Sequence, residues 1–375
     1  MQIRDSVLAV SRPTSGPEEK QAIAEVLDSG WWGKGPKVAE FETEFAKMVG
    51  AKHAIAVTSA SAGQDLIIKA LNLKGVDIAS PTISFMTTAA VPLWNDCTSN
   101  IVDIDPIDLN IDPIDLKKSL KKNTKAVIAV NNAGVLAPIN EIRNHFDGFI
   151  IEDCAHSCYT EGAGSRGDAA VWSFQAVKTM PTGDGGMITT NDSELFERIS
   201  PLTWFGISST YSRTVDMNSK SVGNRPGYTW DYQIDVLGYK AYMIDLTAAI
   251  GLVQMKKLPG YLEWRRHIQA RYNAELNPIV QRPSHSETVQ YYGARVPKDL
   301  RDQLITYLAS KLIHTSVHYK PLHLHPVVAQ DRKYPVADVE WLRLISLPCH
   351  ASMTEDDITY VIYWVNQFFD MHSSS

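Results

Sequence analysis

Cysteine is scarce in this chain, four in 375 residues, and Cys97, Cys154, Cys158 and Cys349 form no CxxC pair. This excludes a disulfide framework and the paired-thiol zinc and redox motifs. Cys154 and Cys158 read as packing groups, because free cysteine behaves as a small hydrophobe. Long apolar runs are also missing, so no segment reaches the length of a membrane span, and the opening MQIRDSVLAVSRP lacks the apolar core of a secretory signal. There is no run of basic residues. With 36 Lys and Arg against 42 Asp and Glu, the formal charge is −6, which disfavours nucleic acid or an anionic membrane as partner and favours a small molecule. No internal repeat stands out. The expectation is a soluble cytoplasmic protein, and 375 residues suffice for one large and one small domain.

Short β-branched runs alternating with helical stretches begin near residue 54, at 54–58, 76–80, 101–104, 126–130, 149–152, 169–174 and 187–190. Such alternation predicts an α/β domain with a mostly parallel seven-stranded sheet covered by helices. Beyond about residue 250 the pattern changes to long amphipathic stretches, GLVQMKKLPGYLEWRRHIQARYNAEL, RDQLITYLASKLI and TEDDITYVIYWVNQFFD. Thr354, followed three residues later by Asp357, is a near relative of the capping box that marks a helix start. The expected organisation is a large domain over 1–250 and a smaller α+β domain over 251–375. The polar, aperiodic segment 206–235 reads as a long functional or interface loop.

Within WSFQAVKTMPTGDGGMITT, Lys178 lies between an apolar strand and a glycine turn formed by Gly183, Gly185 and Gly186. A lysine placed where glycines permit close approach is suited to present an amine to a carbonyl. EDCAHS adds Asp153 at the end of another apolar strand. Together they match two needs of pyridoxal phosphate, an amine for its aldehyde and an anion beside its ring nitrogen. Lys178 would also move protons between substrate and cofactor carbons. Phe85 could cover one ring face, with His156 on the other or near the ring hydroxyl. SASAG, which includes Ser59, Ala60, Ser61 and Ala62, stands where a strand gives way to a helix, so its N–H groups and hydroxyls can hold a phosphate, with Ser173 adding a hydroxyl. Singly, these residues have plainer readings: Asp153 as a helix cap, Phe85 as core, the glycines as a hairpin turn and Asp168 as structural.

At these residues the chain resembles the fold-type-I pyridoxal phosphate enzymes, specifically the sugar aminotransferases of the DegT/DnrJ/EryC1/StrS family. The landmarks are WWGKGPKVAEFE, SASAG, PTISFMTTA, IEDCAHS, SFQAVKTMPTGDGG, GYKAYMIDLTAAIG, HYKPLHLHP and LPCHASMTEDD. Their order and spacing are more specific than any one of them. The resemblance implies a three-layer, aspartate-aminotransferase-like large domain. It makes Lys178 the lysine that joins the cofactor, Asp153 the partner of the ring nitrogen and Phe85 the stacking residue. Ser59, Ala60, Ser61, Ala62, His156, Ser173 and Gln175 join the expected cofactor site. Trp32, Gly33, Lys34, His318, Tyr319, Lys320 and His323 border the expected pocket for a sugar nucleotide, whose diphosphate suits a cation among neutral donors. A homodimer is also implied, since a residue of the GYK segment reaches the neighbouring cofactor in this family.

Several positions depart from the family pattern. His156 replaces a glutamine, Asp184 stands for the acidic residue of GEGG, and Ser61 replaces threonine while keeping the hydroxyl. Tyr242 replaces the family's Asn or Arg, which makes Lys240 the substitute for the cross-subunit phosphate contact. A related branch has histidine in place of the lysine and performs dehydration, and Lys178 argues against it. His314, His318, His323 and His325 raise a rival metal-dependent hydrolase, but their spacing fits no ordinary zinc pattern, so no metal is expected. The expected activity is transfer of an amino group from glutamate to a nucleotide-linked keto-deoxysugar, first a 4-keto-6-deoxyhexose, with a 3-keto sugar or a non-catalytic sensor as alternatives.

Overall fold

The computed structural model describes residues 1–207 and 234–373. All seven expected strands form one sheet: β1 (His53–Val57), β2 (Asp77–Pro81), β3 (Thr98–Val102), β4 (Thr124–Val130), β5 (Phe149–Asp153), β6 (Ala169–Ser173) and β7 (Gly186–Thr190). Their spatial order is β1-β7-β6-β5-β4-β2-β3. Only β7 opposes the rest, pairing antiparallel with both β1 and β6. The third strand begins at Thr98, earlier than the apolar pattern suggested. Polar residues are tolerated there because Asn100 is satisfied inside the fold, its amide donating to Asp77 Oδ2 at 2.8 Å and to Ser119 O at 3.0 Å.

Strand periodicity sends alternate side chains to opposite faces, and both faces are covered, as a parallel sheet requires. Ile55, Val57, Val171 and Ile188 pack with residues of the helices Ala60–Ala70 and Ser193–Leu202. Ala54, Ala56, Trp172 and Met187 face the other way, toward Phe41 and Phe45 of the helix Pro36–Val49. The result is the expected three-layer arrangement.

One helix, Asp245–Glu275, runs across the expected boundary at residue 250. Its Ala248, Leu252, Leu258 and Leu262 belong to the core behind the sheet. Farther along, Ile268 and Tyr272 belong to a second core with Leu8, Tyr292, Ile345, Ile358 and Phe369. That second core is built on the antiparallel pair β8 (Tyr292–Arg295) and β9 (Leu344–Leu347) and the helices Lys298–Ser310 and Glu355–Ser373. The expected capping box is present in both directions: Asp357 N–H donates to Thr354 Oγ1 at 3.2 Å, and Thr354 N–H donates to Asp357 Oδ2 at 2.9 Å. Most of the expected 206–235 loop lies outside the described residues. Among the described residues, no helix is long and apolar enough to cross a membrane.

Candidate active site

Because six strands share a direction, their carboxyl ends lie along one edge of the sheet, the usual place for a ligand in an α/β fold. Ser59 follows β1, Phe85 follows β2, Asp153 ends β5 and Ser173 ends β6; β7, running the other way, starts at that edge with Gly186. Topology thus brings together residues that are far apart in the chain.

Asp153 is 7 % exposed, with both carboxylate oxygens engaged. Oδ1 accepts from Ala155 N–H at 3.0 Å, and Oδ2 accepts from Gln64 Nε2 at 2.8 Å. Burial pushes this carboxyl above its ordinary range, while Ala155, the Lys178 charge and Gln64 pull it down. Lys178 is half-buried by surface area, yet enough protein surrounds its amine that burial lowers its pKa to about 8, against the pull of Asp153. The amine and the carboxylate therefore lie near enough for each charge to act on the other. A desolvated amine near pH 8 is a usable nucleophile and base, which a solvated lysine is not.

Ser59 starts the helix Ala60–Ala70 in extended conformation, its Oγ accepting from Ala62 N–H at 3.1 Å. Ser61 Oγ lies 2.7 Å from Thr87 Oγ1. The Ala60 and Ser61 N–H groups have no intrahelical acceptor by position, and they carry the positive end of the helix dipole. Gly186 presses against this turn: a Cβ there would lie 2.5 Å from Ala60 N and 2.5 Å from Ser59 C. Only glycine lets the strand and the helix start approach so closely.

His156 is 5 % exposed; its Nε2 lies 3.1 Å from the Tyr319 hydroxyl, and its Nδ1 is buried without a protein partner. Burial, aided by the charges of Lys178 and His318, holds its pKa well below the ordinary imidazole value. His318 is likewise lowered to about 4 by burial and Lys178, with Nδ1 2.7 Å from Ser346 Oγ. Tyr291 stacks on His318 with ring centroids 4.4 Å apart. Phe85 is 64 % exposed, so it is not a core residue, and its ring centroid is 6.3 Å from that of Tyr319. Electrostatically, His156, His318 and Tyr319 each sense Lys178 or Asp153.

The remaining sequence-stated positions are more scattered. Gln175 is exposed, and its Oε1 accepts from Val177 N–H at 2.9 Å within its own loop. Trp32 and Lys34 are exposed, and Gly33 O accepts from Asp245 N–H at 2.8 Å. Lys320 is exposed, whereas His323 has both ring nitrogens engaged, Nδ1 with Thr82 Oγ1 at 2.6 Å and Nε2 with Asp338 Oδ1 at 3.0 Å. Lys240 is exposed on a segment that runs beside β1, where Tyr242 bridges to Val57. Cys154 and Cys158 are buried in the core behind the sheet. Asp168 has a structural role, its Oδ2 accepting from Ile150 N–H and Arg143 Nη2, both at 2.6 Å.

Sequence reasoning missed Gln64, Tyr291 and Asp245. Gln64 is fully buried in the helix Ala60–Ala70, and a buried amide needs a polar partner. Asp245 is 1 % exposed and accepts from Gly35, Lys37 and Val38 N–H at 2.8, 3.1 and 3.0 Å, capping the helix Pro36–Val49 from another part of the chain.

These residues fit pyridoxal phosphate. The orphaned Nδ1 of His156 offers a polar contact for a ring substituent, Asp153 an anion for the ring nitrogen, and the helix start at Ser59 to Ala62, closely packed by Gly186, N–H groups and hydroxyls for a phosphate. The model of the DegT/DnrJ/EryC1/StrS aminotransferase family matches residues 13–366. A Bacillus subtilis protein named spore coat polysaccharide biosynthesis protein SpsC is 36% identical, over 96% of this chain and 97% of its own. The dTDP-4-dehydro-2,3,6-trideoxy-D-glucose 4-aminotransferase of Saccharopolyspora spinosa is 32% identical, with 95% of each chain covered. Among solved structures, Spr1654 of Streptococcus pneumoniae in its PMP form superposes with a TM-score of 0.88 at 25% identity, over 96% of this chain and 98% of that one. The chain belongs to the DegT/DnrJ/EryC1/StrS family and is a pyridoxal phosphate-dependent aminotransferase.

Proposed function

We propose that this aminotransferase moves an amino group from glutamate to the keto carbon of a nucleotide-linked deoxysugar, with a 4-keto-6-deoxyhexose as first choice and a 3-keto sugar as the alternative. The observation that carries the reading is the buried Asp153 carboxylate, held at the end of β5 by Ala155 and Gln64, and the Lys178 amine near enough to act on it, with His318 and Tyr319 near enough to sense the charges of the pair. The choice of 4-amination draws support from the Saccharopolyspora relative, whose name states that chemistry.

In this reading Lys178 would hold the cofactor, Asp153 would keep its ring nitrogen protonated, and Ser59 to Ala62 with Ser173 would hold its phosphate. Phe85 would cover a ring face and His156 would meet the ring hydroxyl. When bound, pyridoxal phosphate supplies an electron-accepting ring that acidifies the proton on the adjoining carbon. Once the amino group of the incoming amino acid has displaced it, Lys178 Nζ would be free to take the proton from the amino acid's α-carbon in the first half of the reaction. In the second half the same Nζ would deliver a proton to the former keto carbon of the sugar. Asp153, held by Ala155 and Gln64, would keep its carboxylate aimed at one place throughout. Trp32, Gly33, Lys34, Lys320, His323 and the 318–319 pair would border the sugar nucleotide. The protein would act as a homodimer in the cytoplasm, Lys240 reaching the neighbouring phosphate.

The test is a turnover assay with glutamate and a panel of nucleotide 4-keto and 3-keto sugars. The reading expects an amino sugar product from at least one of them, most efficiently a 4-keto sugar, and no product from Lys178→Ala. No product from any member of the panel with the unsubstituted protein would overturn it.

A further inference from the structure

Gln290 lies just before β8, 5 % exposed, and neither the motifs nor the site described above account for it. Its amide spans the backbone around the lysine. Nε2 donates to Val177 O at 2.9 Å, and Oε1 accepts from Thr179 N–H at 3.2 Å. These two groups belong to the peptide units on either side of the Lys178 α-carbon, so rotating either one would swing the side chain. A primary amide can donate to one and accept from the other at once; a carboxylate or a hydrocarbon cannot. Lys178 N–H itself donates to Gln175 O at 2.8 Å, and Ser11 Oγ also donates to Val177 O, at 3.0 Å.

Gln290 is anchored in turn. Arg265, 2 % exposed on the long helix Asp245–Glu275, uses Nη1 to donate to Gln290 O and Val289 O, both at 3.1 Å, and to Cys349 O at 2.6 Å. One guanidinium nitrogen shared among three carbonyls ties the long helix to the segment before β8 and to the segment after β9. A continuous set of hydrogen bonds thus runs from the long helix through Arg265 and Gln290 to the loop that carries the lysine.

We propose that Gln290 is a positioning residue that locks the two peptide planes flanking Lys178 and so aims its amine toward Asp153. The inference rests on Lys178 being the lysine that joins the cofactor. Mapping the borohydride-fixed cofactor in the unsubstituted protein tests that premise by itself.

Gln290→Leu removes both hydrogen bonds at similar volume, and Gln290→Glu keeps the acceptor for Thr179 while losing the donor to Val177. Three quantities are read on full-length, cofactor-free protein: amide hydrogen exchange at Thr179, the rate of covalent pyridoxal phosphate attachment at fixed pH, and the affinity for pyridoxamine phosphate, which cannot attach. Exchange at Thr179 should accelerate in Gln290→Leu and by less in Gln290→Glu. Attachment should slow by about tenfold to a hundredfold in Gln290→Leu, since misplacing a reacting group by about 1 Å costs on that order. Pyridoxamine phosphate affinity should stay within about twofold, because the phosphate and ring contacts are untouched. Unchanged attachment would overturn the proposal even with faster exchange, since Gln290 would then be a structural tie only. Loss of pyridoxamine phosphate affinity in parallel with attachment would also overturn it, by showing a collapsed cavity. Should Gln290→Leu fail to fold, Gln290→Glu decides alone, and an attachment rate equal to that of the unsubstituted protein would count against the proposal.

Discussion

Tyr319 and His156 face each other across the site, the phenol oxygen 3.1 Å from Nε2 and the rings 16° from parallel. The contact joins the 318–325 segment to the loop after β5, and the other ring nitrogen of His156 has no protein partner. Tyr319→Phe therefore leaves a buried imidazole without any hydrogen bond from the protein. Leaving a buried polar group unsatisfied costs about 1–3 kcal/mol. Urea unfolding of the cofactor-free protein should show a loss of that size, partly recovered when His156→Leu is added. An unchanged midpoint for Tyr319→Phe would mean that the hydrogen bond does not exist in solution.

Lys178 should accept the cofactor with a pH dependence of its own. Its amine titrates at about 8, against about 10.4 for an ordinary lysine. Only the neutral amine attacks an aldehyde, so the attachment rate should rise with pH and level off above about 8. Asp153 raises the lysine pKa, so Asp153→Asn should shift this profile to lower pH. Stopped-flow absorbance across pH 6 to 11 measures both profiles, and a midpoint at the ordinary lysine value would contradict the buried environment.

His318 should make the fold sensitive to acid. In the unfolded chain the imidazole binds its proton near pH 6.5, while in the folded chain burial delays this to about 4. Its folded pKa is depressed, so its stabilising contribution is complete above 6.5 and is lost as pH falls toward 4. Replacing it by glutamine, which does not titrate, should flatten that part of the stability curve. Denaturant midpoints at successive pH values between 4 and 7 provide the check, and an equal slope in both proteins would contradict it.

Gly186→Ala should affect stability and cofactor retention together. The added methyl meets the backbone of Ser59 and Ala60 at 2.5 Å, and backbone cannot rotate away. Overpacking of this kind costs about 1–3 kcal/mol. It also displaces the helix start that would hold the phosphate, so pyridoxamine phosphate should bind more weakly, by at least about tenfold, one factor of ten per 1.4 kcal/mol. Calorimetric titration and thermal unfolding are the measurements; a stable variant with unaltered affinity would count against the phosphate assignment.

Much of this molecule is legible from periodicity alone. The seven strands follow from short apolar runs, because a sheet covered on both faces needs apolar side chains in both directions. The exception, β3, begins in polar residues whose partners, Asp77 and Ser119, lie on other elements and leave no local pattern. Asp153 and Lys178 are readable because one ends an apolar run, the other lies between an apolar run and a glycine turn, and the chemistry of the cofactor requires both. Gln64 and Gln290 are not, since a glutamine gains its meaning only from the atoms at each end of its amide, here supplied by residues far along the chain. Asp245 escaped for a similar reason: a helix cap is normally sought just before its helix, and this one comes from the start of another. The organisation near residue 250 is likewise hard to read, because an apolar stripe continues along the helix Asp245–Glu275 while the core it faces changes.

The central claim is that the Lys178 amine, opposite Asp153, is the group that bonds to pyridoxal phosphate. Reduction of the cofactor-loaded protein with borohydride, proteolysis and mass spectrometry of the peptides test it most directly. The account predicts one phosphopyridoxyl group per chain, on the peptide containing Lys178, and none on the Lys178→Ala variant. Stoichiometric label on any other lysine would contradict it.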